Sequence, residues 1–175
     1  MSLKTYSTQK KTVVLNTLPP PNPIQKSVIS VPGNLQFETD FKNEVAQIDQ
    51  IENDPEVIEN RLQSLARQME LSDRLYLKSI LNNHKSTDGD RAMAIELLAR
   101  NQTAESAEIL KNFTTAEYQN EHELIFKAQA IEGLAGFQDQ NTALNYLNEI
   151  SQKSKNQFLK DHAQKAENSL KNLIQ

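Results

Sequence analysis

The sequence contains no cysteine and no tryptophan, and it has only four glycines and six prolines among its 175 residues. Without cysteine the chain can form no disulfide, no cysteine-ligated zinc site, no iron–sulfur cluster and no thiol nucleophile. No apolar run approaches the roughly 18 residues of a membrane span, and the short run at 13–15 falls below the about 7–15 residues of a signal-peptide core. The net charge of −4 argues against nucleic-acid binding.

The few prolines are confined to one end of the chain. All six lie within the first 55 residues, and the 120 residues that follow contain none. Proline removes a backbone donor and clashes with the preceding helical turn, so its absence over this length favours a run of helices. We therefore predict an extended, proline-containing arm over residues 1–38 and a helical domain over residues 39–175.

The predicted arm is basic. Residues 1–37 carry four lysines and no acid, whereas residues 38–60 carry eight acids and one lysine. The sequence TLPPPNP at 17–23 predicts polyproline II, and the turn signal at 32–34 predicts that residues 35–37 pair back as a short hairpin. The charge contrast raises the hypothesis that residues 1–37 contact the helical domain or close over its groove; the alternative is a solvated tail.

From residue 39 onward, apolar residues recur at spacings of three and four, which is typical of amphipathic helices. Asp54 followed by Pro55 predicts one helix start, and Thr103 predicts another. Short loops make consecutive helices antiparallel neighbours. Five of the eight predicted helices lie at about 40–52, 72–83, 118–136, 140–151 and 155–174. The other three begin at Asp54–Pro55, near Thr87 or Asp88, and after Thr103.

Part of the helical pattern is repeated. The segment AMAIELLA at 92–99 recurs 36 positions later as AQAIEGLA at 128–135. A fainter copy begins at residue 62 and a partial one at residue 163, and both main copies precede a polar turn and a second apolar helix. A period of 33–37 residues with two helices per unit is typical of an α-solenoid. A helical bundle without repeats is the alternative.

In these residues the chain resembles the short form of the HEAT-like repeat family. The family pattern is a basic residue, then Ala…Ala-Ile…Leu-Ala, a polar turn and a second helix; the basic residue here is Arg91 in one copy and Lys127 in the next. The match is good over 91–152, weak over 57–85 and absent from 1–38. The resemblance implies an all-α fold, a right-handed α-solenoid of about four antiparallel helix pairs, and extended protein partners bound on its concave face.

Two short motifs raise the question of metal binding. His122-Glu123 is similar to the pairs by which HEAT-like deoxyhypusine hydroxylases bind two irons, but that chemistry needs several such pairs and the sequence has one. Asp88-Gly89-Asp90 is not followed by the further ligands of an EF-hand, so we predict that Asp88 caps a helix. The sequence also has no glycine-flanked nucleophile turn and no glycine-rich phosphate loop. We therefore predict no catalytic residue, no metal site and no cofactor.

The predicted function is that of a non-catalytic scaffold or adaptor that binds other proteins. The alternative is a small-molecule- or metal-dependent enzyme, or a lyase-like protein, on the same scaffold. The sequence suits either a soluble cytoplasmic protein or an exported domain without its leader. Arginine and tyrosine are common in binding hot spots. The predicted interaction surface comprises residues near the repeat turns that escape the apolar stripes, namely Arg67, Arg91, Arg100, Tyr118, Lys127 and Tyr146.

Overall fold

The computed structural model describes residues 34–47, 54–118 and 120–174 of the chain. Within these ranges the chain forms eight α-helices and no β-strand, which confirms the prediction of an all-α fold. None of the described helices is long and apolar enough to cross a membrane. The helices are α1 (Leu35–Gln47), α2 (Pro55–Gln68), α3 (Leu71–Asn82), α4 (Asp88–Asn101), α5 (Ala104–Thr115), α6 (Glu123–Ala135), α7 (Gln140–Lys153) and α8 (Gln157–Ile174).

Side-chain caps start α2 and α4. Asp54 accepts a hydrogen bond from the backbone N–H two residues ahead at 3.0 Å, and Pro55 is the first residue of α2, as predicted. At the start of α4, Thr87 and Asp90 exchange hydrogen bonds of 3.0 and 3.1 Å in a capping box. The prediction that Asp88 is the cap is wrong, because Thr87 holds that place and Asp88 is the first helical residue.

Other helix ends agree with the sequence or differ for a local reason. Thr103 caps α5 and Gly136 ends α6, as predicted. Helix α3 begins one residue earlier than predicted, because Glu70 and Asp73 form its capping box. Helix α6 begins at Glu123, later than predicted, since the residues just before it form a hydrogen-bonded turn.

The first helix begins earlier than predicted. Residues 35–37 belong to α1 and form no hairpin, so the first helix begins about five residues before its predicted start at residue 40. Phe37 and Phe41 lie one turn apart on α1, and both are buried against the ring of Tyr76 in α3, with centroid distances of 6.3 and 5.9 Å. This aromatic contact favours the additional helical turn. The expected polyproline segment and the prolines at 19–32 lie outside the described residues.

The helices contact one another in two series. In the first series α2 contacts α4, α4 contacts α6 and α6 contacts α8; in the second, α3 contacts α5 and α5 contacts α7. We call these series the even-helix layer (α2, α4, α6, α8) and the odd-helix layer (α3, α5, α7). Helices consecutive in the chain also contact each other from α3 to α8, so the apolar core lies between the layers. Helix α1 lies at one end, against α2 and α4.

Two pairs of repeated apolar residues in α4 and α6 are buried to the same degree. Ala94 and Ala130, which stand 36 positions apart, are both 0% exposed, and so are Leu98 and Leu134. The two helices thus present the same residues of the repeat to the core.

The docking of α1 can be tested by truncating Phe41, which is 1% exposed. We expect Phe41→Ala to lower the free energy of unfolding by about 3 kcal/mol, the low end for a buried phenylalanine, because a terminal helix can relax around the cavity. The control is Leu35→Ala on the same helix, where the side chain is 80% exposed and its loss should be nearly neutral. Urea unfolding measures both, and equal effects would contradict the packing of α1.

Candidate functional site

Two of the six residues predicted at the surface are buried. Lys127 is 0% exposed and Arg91 is 8% exposed, so the prediction that they belong to an interaction surface is wrong. Both lie in the first or second turn of an even-layer helix, Arg91 in α4 and Lys127 in α6. Each is directed at the end of the preceding odd-layer helix.

The ammonium group of Lys127 closes the C-terminus of α5. Its Nζ donates hydrogen bonds to the carbonyl oxygens of Phe113 at 2.5 Å and Ala116 at 3.0 Å, and it lies 4.7 Å from the ring centroid of Phe113. The last carbonyls of a helix have no partner within the helix, and a cation there also interacts favourably with the helix dipole. Burial lowers the pKa of Lys127, and the carboxylate of Glu123, 3.5 Å away, acts in the opposite direction.

Arg91 has the same position one repeat earlier. Its Nη2 donates to the carbonyl oxygen of Asn83, the C-cap residue of α3, at 3.2 Å. Its guanidinium lies 5.9 Å from the ring centroid of Phe126 in α6. The basic residue in each copy of the sequence pattern therefore joins the end of an odd-layer helix to the start of the even-layer helix that follows it.

Arg100 connects two helices of the even-helix layer. It forms ion pairs with Glu59 of α2 and with Glu96 of its own helix, the latter at 2.5 Å from Nε to Oε1. The hydrogen bond between Arg100 and Glu59 lowers the pKa of Glu59 and raises that of Arg100. Arg67 lies on the exposed side of α2, in the same layer.

The two tyrosines lie elsewhere. The hydroxyl of Tyr118 accepts a hydrogen bond of 3.3 Å from Asn156, which connects the turn before α6 to the start of α8. Tyr146 lies on α7, in the odd-helix layer, with the Nζ of Lys111 at 5.4 Å from its ring centroid. None of the contacts described above joins two of the six predicted residues to each other.

A cleft of about 560 Å³ lies between α4 and α6 on the even-helix layer; we call it the α4/α6 cleft. Small residues border it, and the two helices approach closely, since a Cβ atom on Gly133 would lie 3.0 Å from the Cβ of Ala99. Glu96 and Glu132, which occupy the same position in the two copies of the repeat, also line the cleft.

Two further clefts adjoin this one and share Glu132 with it. One lies between α6 and α8, where His162 Nε2 stands 3.2 Å from Glu132 Oε1 and Lys165 lines the wall. The other lies towards the C-terminal ends of α4 and α6 and reaches Arg100 and Gln63 of α2. These three clefts adjoin one another along the four helices of the layer, and we call them together the even-helix groove.

The sequence contained a signal for this groove that the surface prediction did not use. Each copy of the repeat reads Ala-Ile-Glu-x-Leu-Ala, so a glutamate recurs among residues that are otherwise apolar. The repeat predicts which residues form the core, and the predicted interaction surface does not include its one charged position, Glu96 or Glu132.

The motif residues that suggested a metal lie apart from the groove. His122 Nε2 is 2.8 Å from Asp88 Oδ2, and both side chains are more than half exposed. Across the described ranges, the structure contains no group of three or more histidine, aspartate or glutamate side chains arranged to hold a metal ion.

Comparison of the chain with protein-family models, curated proteins and solved structures found no significant match. Its function is therefore inferred from its own residues.

The role of Lys127 can be tested by removing its charge. We expect Lys127→Met to lower the free energy of unfolding by about 1–3 kcal/mol, because the carbonyl of Phe113 loses its donor while it stays buried. The matched control is Lys78→Met on the exposed side of α3, which should change stability by no more than about 0.5 kcal/mol. A Lys127→Met variant as stable as this control would show that the ammonium group does not hold the helix end.

Proposed function

We propose that this protein is a non-catalytic scaffold that binds a protein partner along the even-helix groove. In this proposal the helices form a short, right-handed solenoid of HEAT-like type with about four antiparallel pairs. Helices α4–α5 and α6–α7 make two of these pairs, α8 belongs to a further one, and α2 and α3 both pack on α4.

Hydrogen bonds between successive turns support the solenoid. Asn101, at the end of α4, donates to the carbonyl oxygen of Ala66 at the end of α2 at 2.7 Å. The side-chain oxygen of Gln102, in the turn after α4, accepts from the backbone N–H of Gln138 in the turn after α6, also at 2.7 Å. The partners stand 35 and 36 residues apart, so contacts at the period of the repeat join one unit to the next.

The observation that carries the function is the row of three adjoining clefts along one layer of helices. Solenoids bind extended partners along such surfaces, because each unit contributes a similar strip of side chains. Here the strips bear glutamate, glutamine, alanine and glycine. These side chains recognise a partner by shape, hydrogen bonding and charge, which suits an adaptor.

Photo-crosslinking tests this proposal directly. A photoreactive residue at Gln129, which lines the α4/α6 cleft, should give a discrete protein adduct in extracts of the source organism. The same residue at Asn145, exposed on α7, is the control and should give none. Glu96→Gln combined with Glu132→Gln should lower the yield about ten-fold, because each lost charge pair contributes about 0.7 kcal/mol. Equal labelling at both positions, or a yield that ignores the carboxylates, would contradict the proposal.

Metal removal separates the scaffold from the metal-dependent alternative. We expect treatment of the purified protein with EDTA to leave its melting temperature unchanged, since the proposed function uses no metal. A site saturated at 100 times its dissociation constant would contribute about 2.7 kcal/mol, and its loss would lower the melting temperature by several degrees. Such a decrease, reversed by one metal, would favour the enzyme.

A further inference from the structure

One side of α8 carries an exposed apolar side chain at each end and a cation in the middle. The residues on this side follow one another at spacings of three and four, and we call them the α8 ridge: Phe158, His162, Lys165, Ser169 and Leu173. Phe158 is 53% exposed and Leu173 is 79% exposed. They stand about 22 Å apart along the helix axis, so the ridge is about four turns long.

The α8 ridge borders the cleft between α6 and α8, which we call the α6/α8 cleft. The cleft has a volume of about 370 Å³, and all ridge residues except Phe158 line it. The rest of the lining is apolar apart from one glutamate, and it includes Ala135 of α6 together with Ala166 and Leu170 of α8. The small side chains of the two alanines leave room for a bulky apolar side chain of a partner.

The cation in the middle of the ridge has no partner. Within the described ranges, the ammonium group of Lys165 forms neither an ion pair nor a hydrogen bond. Asp161, one turn earlier, accepts a hydrogen bond of 2.7 Å from Gln157. Glu132, the one acidic residue in the lining, stands 3.2 Å from His162. An unpaired positive charge beside apolar surface favours a ligand that carries a carboxylate.

The backbone around the cleft indicates the form of the partner. Both walls are α-helices, whose N–H and C=O groups bond within the helix except at its ends. An extended peptide on this floor would find few backbone partners, whereas a helix satisfies its own backbone groups. A helix also presents every third or fourth side chain on one face, which matches the spacing of the ridge. The cleft therefore suits an amphipathic helix.

Two occupants from the chain itself fit poorly. A second copy of α8 lying antiparallel across the cleft would set Phe158 against Leu173, but it would also bring two Lys165 side chains together at the two-fold axis. Residues 1–33 carry four lysines and no acid, so the charge of that segment also repels Lys165. The charge of the ridge favours a different, acidic protein.

We propose that the α6/α8 cleft binds an amphipathic helix of the partner protein, with a glutamate or aspartate at Lys165 and apolar side chains against Phe158 and Leu173. This inference rests on the proposed function and adds the chemical class of the partner. The ring of Phe158 is already stacked on that of His162, with centroids 5.8 Å apart, so one end of the contact surface is ordered before binding.

Designed peptides test the charge of the partner against the full chain. The first probe is a capped alanine–glutamine helix of about 18 residues, with leucine near each end and two central glutamates on the same face. The second probe has lysine in place of glutamate. We expect fluorescence anisotropy to show about ten-fold tighter binding of the glutamate peptide, because the lysine peptide replaces attraction by repulsion. Changes in amide chemical shift should centre on Ala135, Ala166 and Ser169.

Variants of α8 decide whether the peptide uses the proposed contact. Lys165→Glu should reverse the preference, so that the lysine peptide binds more tightly, and Leu173→Ser should weaken the binding of both peptides. Both side chains are exposed, so the variants should melt at the temperature of the unmodified chain. The matched control is Lys160→Glu on the same helix but outside the cleft, which should leave the preference unchanged.

Three results would overturn the inference. These are equal binding of the two peptides, equal effects of Lys165→Glu and Lys160→Glu, and a dimer of the chain in sedimentation that Leu173→Ser disrupts.

The outcomes for this inference and for the proposed function are separable. A protein that gives a discrete adduct from Gln129 but does not prefer the glutamate peptide retains the scaffold function and loses the acidic helix as partner. A protein that binds the glutamate peptide through Lys165 but gives no adduct from Gln129 retains the helix-binding cleft and loses the proposed scaffold.

Discussion

The contact on which the helical stack depends is the burial of a cation against the end of a helix. The last carbonyls of α3 and α5 need donors, and Arg91 and Lys127 from the next helix supply them. Taking a charge out of water is costly, and the cost is offset only where the geometry supplies several partners. Lys127 has two carbonyls, an aromatic ring and the carboxylate of Glu123. Each such contact therefore fixes where a helix of the odd-helix layer ends relative to the next helix of the even-helix layer.

The groove of the even-helix layer depends on the same contacts between helix ends and buried cations. These contacts join the ends of odd-layer helices to the starts of even-layer helices, and the even-layer helices lie side by side. The size of the side chains that face each other sets the distance between two even-layer helices. Gly133 and Ala99 let α4 and α6 approach closely at one point, while Ala92 leaves the cleft open at another. Small residues thus allow close packing at one point and leave open space at another. The carboxylates of Glu96 and Glu132 line that space.

Much of the fold could be predicted from local patterns, and most of the candidate site could not. Proline placement, caps such as Asp54 and Thr103, and apolar spacing indicate the helices because these signals act within a few residues. The extra turn of α1 depends on Tyr76, nearly 40 residues away, and short-range patterns do not contain that contact. The charge of Lys127 and its position in the pattern predict an exposed side chain. The sequence around Lys127 does not show that α5 ends beside this side chain. The sequence does not predict the groove, because its width depends on the distance between helices that are not consecutive in the chain.

The pattern of helix contacts has a consequence for how the protein opens. Because each helix contacts its near neighbours in the chain and few others, loss of a terminal helix removes one set of contacts and leaves the rest in place. Opening should therefore proceed inward from the ends, with free energies that increase from α1 and α8 towards α4, α5 and α6. Amide hydrogens would exchange with solvent in that order, and the central helices would exchange only when the whole domain unfolds. The residues of the α4/α6 cleft lie in this slowest region, so this part of the proposed binding surface stays intact while the ends of the molecule open and close.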